Sequence, residues 1–204
     1  MRWLLAPLAM PYFLIPGNHD SRDAMRAAFP DHIYLGRDGF MQYAVEDYPL
    51  RLVALDTLIP GGHGGRLCAE RISWLAATLA TAPDRPTMVV MHHPPFATGI
   101  TFMDGFSLED PDGLAAVIAR HPQVERIACG HLHRPIGRRF AGTIAGTAPS
   151  TGAQIRLDLR PGERVRYRFE PPGYQLHLWQ EGAGLVTHTA VLGDFPDPYP
   201  FVAV

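Results

Sequence analysis

The sequence predicts a layered α/β protein with a β-rich C-terminal extension. Up to about residue 150, short apolar runs of strand length alternate with segments of helical period, the order that builds sheets covered by helices. Beyond that point the helical period disappears and period-2 alternation takes over. A third observation concerns chemistry: three of the apolar runs end directly in a histidine-bearing loop. The expected division is a core over residues 1–150 and a β-rich extension over 151–204 packed on it.

Each element has its own local reason. Residues 12–15 are apolar and bounded by Pro11 and Pro16-Gly17, which predicts a short buried strand. Ser21 is placed to cap a helix running to about Phe29. Residues 40–46 and 50–55 flank Asp47-Tyr48-Pro49, the pattern of a two-stranded hairpin, and a glycine-rich loop follows at 61–65. The segment 69–81 sets Ile72, Leu75, Ala76 and Leu79 on one helical face, and Pro83 stops it. Residues 87–91 read as a buried strand, 107–120 as a helix with Leu114, Val117 and Ile118 as its core stripe, and 126–129 as a strand ending at Gly130. In "RVRYRFE", Arg164, Arg166 and Arg168 alternate with Val165, Tyr167 and Phe169, as in a half-exposed strand whose arginines form a solvated row. Residues 174–180 and 184–191 form a further hairpin, with Gly182 and Gly184 in its turn.

Composition narrows the function classes. With 204 residues, 47% hydrophobic and a net charge of -2, the chain has no electrostatic footprint for a nucleic-acid polymer or an anionic membrane. Its 18 basic residues are all arginine and are dispersed. Two cysteines, Cys68 and Cys129, make neither a zinc ribbon nor a disulfide framework, and a reducing, cytoplasmic setting is expected. Pro7 and Pro11 interrupt the apolar start, and no small-residue cleavage site follows, so a secretory leader is not expected. No run reaches the roughly 18 apolar residues of a membrane span.

The loops at the strand ends are Asn18-His19-Asp20, His92-His93 and His131-Leu132-His133. Ends of neighbouring strands converge on one edge of a sheet, where open α/β proteins build their sites. Gly17 and Gly130 precede two of these loops and allow tight turns. Imidazole is a common ligand for zinc, iron or manganese, and an Asn carbonyl adds a harder oxygen. Taken singly, each cluster has a bland alternative: a hydrogen-bonded core histidine, a His-x-His on a surface, or a Gly-Asn turn with an Asp cap. Recurrence directly after three strands is hard to assign to chance.

These segments resemble the calcineurin-like metallophosphoesterases: Gly17-Asn18-His19-Asp20, "VVMHHPP" around His92, and "CGHLHR" from Cys129 to Arg134. "HHPPFATGI", Met103-Asp104 and "PPGYQLHLW" are similar to the bacterial class III cyclic-nucleotide phosphodiesterase and glycerophosphodiesterase branch. The resemblance implies a four-layer αββα sandwich lacking its first strands, with the β-rich extension beside it. It also implies two divalent metal ions (Fe, Mn, Zn or Co), with Asn18, His92 and His131 on one metal and His133 on the other. Which of His92 and His93 is the ligand stays open; His92 aligns with the family histidine, and His93 takes a supporting role. His19 is implied to protonate the leaving group, with Asp20 orienting its ring, and Asn18 and His19 to touch the substrate. The expected activity is hydrolysis of a small phosphodiester, a 3',5'-cyclic nucleotide or a glycerophosphodiester, by metal-activated water. A homo-oligomer is expected through the extension.

The sequence departs from the family at its start. The family's earlier Asp-x-His and Gly-Asp motifs have no counterpart, because only 17 residues precede Asn18 and none is Asp or His. Two dications about 3.5–4 Å apart repel by about 17–19 kcal/mol at an effective dielectric of 20, and neutral ligands offset little of it. The expectation is an N-terminally truncated chain with impaired activity. The alternative is a non-catalytic ligand-binding or regulatory module.

Overall fold

The computed structural model describes residues 2–199. In chain order the elements are α1 (Arg2–Leu5), α2 (Arg22–Ala28), a 3-10 turn (Ile33–Leu35), β1 (Tyr43–Val45), β2 (Arg51–Ala54), β3 (Gly65–Arg66), α3 (Ala69–Ala80), β4 (Thr87–Met91), α4 (Thr101–Asp104) and β5 (Leu108–Glu109). There follow α5 (Asp112–Ile118), β6 (Val124–Cys129), β7 (Ile136–Phe140), β8 (Thr143–Thr147), β9 (Gln154–Ile155), β10 (Tyr167–Arg168), β11 (Gly173–Gln180) and β12 (Gly184–Val191). The α/β class stands: a central mixed sheet runs β1-β2-β4-β6-β8-β7, with β2, β4, β6 and β8 parallel and an antiparallel strand at each edge. The remaining strands form two-stranded pairs.

Val53, Val89, Ile127 and Ala145 stand in register across the four parallel strands, and all are fully buried. Leu75 and Leu79 of α3 and Leu114, Val117 and Ile118 of α5 close over that row. The stripes that predict these helices are therefore the faces that bury. On the other sheet face, Tyr43, Val45 and Ala54 pack with Phe29, Leu35 and Met41, and Tyr12, Leu14 and Ile15 lie against them. The ribbon β11–β12 is tied to the sheet through Gln175, whose Nε2 donates to the Thr147 carbonyl at 3.1 Å. No helix among the described residues is long and apolar enough to cross a membrane.

Three sequence expectations change. Residues 12–15 are not a strand, with Tyr12, Leu14 and Ile15 half-buried and Phe13 exposed; side chains answer their backbone, with Leu14 N donating to Tyr34 Oη at 3.1 Å and Tyr43 Oη donating to Leu14 O at 2.8 Å. The helix expected from 107 starts instead at Asp112. Pro111 has no N–H to join it, Asp110 turns left-handed (φ 47°), and Leu108–Glu109 pairs with Gly65–Arg66. Only Tyr167–Arg168 of the expected strand at 164–169 pairs, with β9. The Ser21 cap, the strand Thr87–Met91 and the hairpin of β11 and β12 agree with expectation.

Candidate active site

The C-terminal ends of β2, β4, β6 and β8 meet at one edge of the sheet. Met91 and Cys129 are registered neighbours, so the residues just beyond them, His92 and Gly130-His131, emerge together; Gly130 N donates to His92 O at 3.0 Å. The ring centroids of His92, His93 and His131 lie 4.7–5.2 Å apart. Each offers a nitrogen within 4.8 Å of the others, the one group of three or more such side chains found among the described residues.

Asn18 reaches this cluster from a tight turn. Asp20 N donates to Gly17 O at 3.1 Å and Asp20 Oδ2 accepts from Gly17 N at 2.8 Å, which lifts Asn18 and His19 to the apex. Asn18 Oδ1 then lies 3.0 Å from His92 Nε2. A Cβ on Gly17 would come within 2.9 Å of His92 Cε1, so glycine is what permits the close approach. Asp20 is thus engaged with the backbone of its own turn, and no hydrogen bond joins it to the His19 ring among the described residues.

The loop after β6 is built on two left-handed residues, His131 (φ 66°) and His133 (φ 50°), around Leu132, which is fully buried with Ile100 and Met103. Non-glycine residues in this region cost on the order of 1 kcal/mol or more each and collect at sites where geometry is over-determined. His131 Nε2 is buried without a hydrogen-bond partner. His133 is more exposed, and its Nδ1 donates to Ala153 O at 3.1 Å, which leaves Nε2 free to accept.

His93 is different. It is fully buried, and both ring nitrogens are taken: Nε2 donates to the His63 carbonyl at 3.2 Å, and Nδ1 therefore accepts from Thr57 Oγ1 at 2.8 Å. A carbonyl can only accept, so this pair of contacts assigns the tautomer.

Burial favours the neutral form of all three rings. It pushes His92 down to about 3, helped by the surrounding imidazoles His93, His131, His133 and His19. His131 falls to about 4 for the same reasons, against a partial offset from the Phe106 backbone. Burial takes His93 to about 4, opposed by the His63 carbonyl and the Asp56 carboxylate.

The donors suit a divalent cation. Two ligand atoms on one cation at about 2.1 Å from it lie about 3 Å apart, as His92 Nε2 and Asn18 Oδ1 do. The orphaned His131 Nε2 is a buried polar atom that a cation would satisfy. Asn18, His92 and His131 are the residues that fit, with His133 beside them.

Two supports carry no signal that sequence patterns single out, Asp56 and Thr57, which follow β2. Asp56 accepts from Arg22 Nε at 2.6 Å and anchors the chain just beyond Asp20, while Thr57 holds His93. They form a polar pair directly after an apolar run, as the other three clusters do, but without a histidine to draw attention.

Comparison with known proteins identifies the family and relatives of this chain. The profile of the calcineurin-like phosphoesterase family matches residues 1–135. A probable glycerophosphodiester phosphodiesterase, GpdQ, of Arcobacter nitrofigilis is 37% identical over 195 residues, covering 95% of this chain and 71% of the relative. A probable cyclic nucleotide phosphodiesterase of Rhodopseudomonas palustris is 37% identical over 188 residues, 91% of this chain and 68% of the relative. The 3',5'-cyclic adenosine monophosphate phosphodiesterase CpdA of Escherichia coli is 29% identical over 159 residues, 74% of this chain and 54% of the relative. Among solved structures, a dimetal phosphatase from Danio rerio superposes with a TM-score of 0.54 at 14% identity, covering 86% of this chain and 70% of that one, and so shares the fold.

Proposed function

The chain belongs to the calcineurin-like phosphoesterase family, and we propose from there that it is a phosphoric diester hydrolase acting on a small phosphodiester, a cyclic nucleotide or a glycerophosphodiester. The observation that carries the reading is the convergence of Asn18, His92 and His131 at one sheet edge, with the His131 Nε2 unpartnered. A divalent cation bound there supplies Lewis acidity, lowering the pKa of water and neutralising phosphoryl charge. Asn18, His92 and His131 would hold one cation, and His133, whose Nδ1 is tied to Ala153, would offer Nε2 to a second.

His19 stands exposed at the apex of its turn, free of structural duty, where it can hand a proton to the departing alkoxide. Asp20 contributes by closing that turn through Gly17. His93 acts as a strut, since both its nitrogens are committed to the protein. The names of the relatives, phosphodiesterases of glycerophosphodiesters and of cyclic nucleotides, support the substrate class. Association with a second copy through β11–β12 belongs to the same reading: Tyr174, Leu176, Leu178 and Val186 turn an apolar face outward.

One observation favours a second reading, a non-catalytic ligand-binding module: the metal-competent group contains no carboxylate. Hydrolysis of bis(p-nitrophenyl) phosphate by the purified chain, with and without manganese, separates the two. Manganese-stimulated turnover is expected. Absence of turnover with manganese, iron, zinc and cobalt, with metal bound, overturns the hydrolase.

A further inference from the structure

The glycine-rich loop at 61–65 carries one side chain that neither the fold nor the reading above employs, His63. We propose that His63 is a substrate-binding residue that donates a hydrogen bond to a non-bridging phosphoryl oxygen, opposite His19; the proposal rests on the phosphodiesterase reading.

The loop is a constructed feature. Leu58 and Gly65 bridge across its base, Gly62 N donates to Ile59 O at 2.9 Å, Gly65 N to Ser107 O at 3.2 Å, and Arg66 N to Thr57 O at 3.0 Å. Its tip is fastened to the metal-competent cluster itself, because the His63 carbonyl is the acceptor for His93 Nε2. Gly65 is required for this contact: a Cβ there would clash with the His93 ring at Cγ and Nδ1. Gly61 supplies the left-handed turn (φ 73°) at the loop's entry.

Held this way, the His63 ring stands edge-on to Phe106, with centroids 5.7 Å apart, and 6.1 Å from the ring of His19. The two imidazoles reach the sheet edge from separate loops and neither is buried. With N–H···O contacts of about 2.9 Å, two rings at that spacing can each bond a different oxygen of one tetrahedral phosphate. A phosphodiester carries two non-bridging oxygens, so an imidazole N–H on this side adds a hydrogen bond to an oxygen that His19 does not reach. The loop also explains the His93 strut: it transmits the position of the cluster to a residue that touches the substrate.

The test uses His63→Ala and His63→Gln, the second keeping a donor, in the manganese-loaded protein. Calorimetry measures affinity for manganese and for orthophosphate, and turnover is followed with bis(p-nitrophenyl) phosphate. His63→Ala should weaken orthophosphate about tenfold and raise KM by a similar factor, the scale of one hydrogen bond to a charged group. Manganese affinity and melting temperature should stay as in the parent, and His63→Gln should recover part of the loss. Unchanged orthophosphate affinity in His63→Ala, a loss that follows weaker manganese binding, or a parent that binds no orthophosphate each overturns the proposal. A parent that binds orthophosphate through His63 but hydrolyses no diester overturns the hydrolase reading and leaves the anion contact standing.

Discussion

Arg22 and Asp56 form a two-pronged ion pair, Nε to Oδ2 at 2.6 Å and Nη2 to Oδ1 at 2.8 Å, around a carboxylate with no solvent exposure. Asp56 also accepts from the backbone N–H of Met41 and Leu58, both at 2.9 Å. Through this pair the loop bearing Asn18 and His19 is fastened to the end of β2. Removing the guanidinium leaves a buried charge without its counterion, which typically costs 3–5 kcal/mol. Arg22→Ala should therefore lower the unfolding free energy by about 3 kcal/mol, with the two backbone donors softening the loss. Urea denaturation measures it; a change under about 0.5 kcal/mol contradicts the role given to the pair.

Gly17 tests the closeness of the turn to the cluster. The Cβ of Gly17→Ala meets His92 Cε1 at 2.9 Å, so the ring must shift. Displaced supports of metal ligands typically cost 10–100-fold in affinity, and manganese binding should weaken by about tenfold or more. Calorimetric titration of manganese into both proteins reads this directly. Equal affinities would mean that His92 moves at no cost to the site.

Acid should destabilise the metal-free protein. Burial holds His92 at about 3 and His93 and His131 at about 4, below the value of about 6.5 that the unfolded chain has. As pH falls below about 6.5 the unfolded state binds more protons than the folded one, so stability is full above that pH and is lost on the way down to about 4 for His93 and His131 and about 3 for His92. Each ring contributes at most about 1.4 kcal/mol for every pH unit crossed in that window, and a total loss of a few kcal/mol is expected. Urea midpoints in EDTA between pH 7 and 4.5 should fall steadily. A flat profile would show that the rings charge freely.

Tyr43 sets the opposite limb. Its hydroxyl donates to Leu14 O at 2.8 Å, and burial raises its pKa far above the ordinary tyrosine value. A raised folded-state pKa gives stability that is present below the unfolded value of about 10 and is lost as pH climbs beyond it. Tyr43→Phe should cost about 1 kcal/mol at neutral pH by removing one hydrogen bond, yet flatten the decline above pH 10. Thermal melts at pH 7 and 10.5 compare the two proteins; parallel declines would assign the alkaline loss elsewhere.

Sequence patterns are most legible where burial and period coincide. The stripe of α3 and the apolar run of β4 stand out because each buries a complete face. The clusters at Asn18, His92 and His131 stand out because polar residues abruptly end such runs. Residues 12–15 mislead for the same reason: apolar character signals burial, whereas strand identity depends on a pairing partner, and here Tyr34 and Tyr43 bond the backbone instead. The start of α5 at Asp112 depends on Pro111 and on a two-residue pairing with β3, a long-range contact no local window contains.

The site divides along the same line. Donor types, the turns that carry them and the family chemistry they resemble are properties of short segments, and the chain alone is enough to read them. What each histidine is free to do is settled by the assembled fold. His92 and His93 are adjacent and identical in type, yet one faces Asn18 Oδ1 and the other spends both nitrogens on Thr57 and His63. Those two partners come from the end of β2 and the loop after it, 36 and 30 residues away in sequence. The partners met across the sheet edge, not composition, therefore distinguish the ring that faces Asn18 from the one held by Thr57 and the His63 carbonyl.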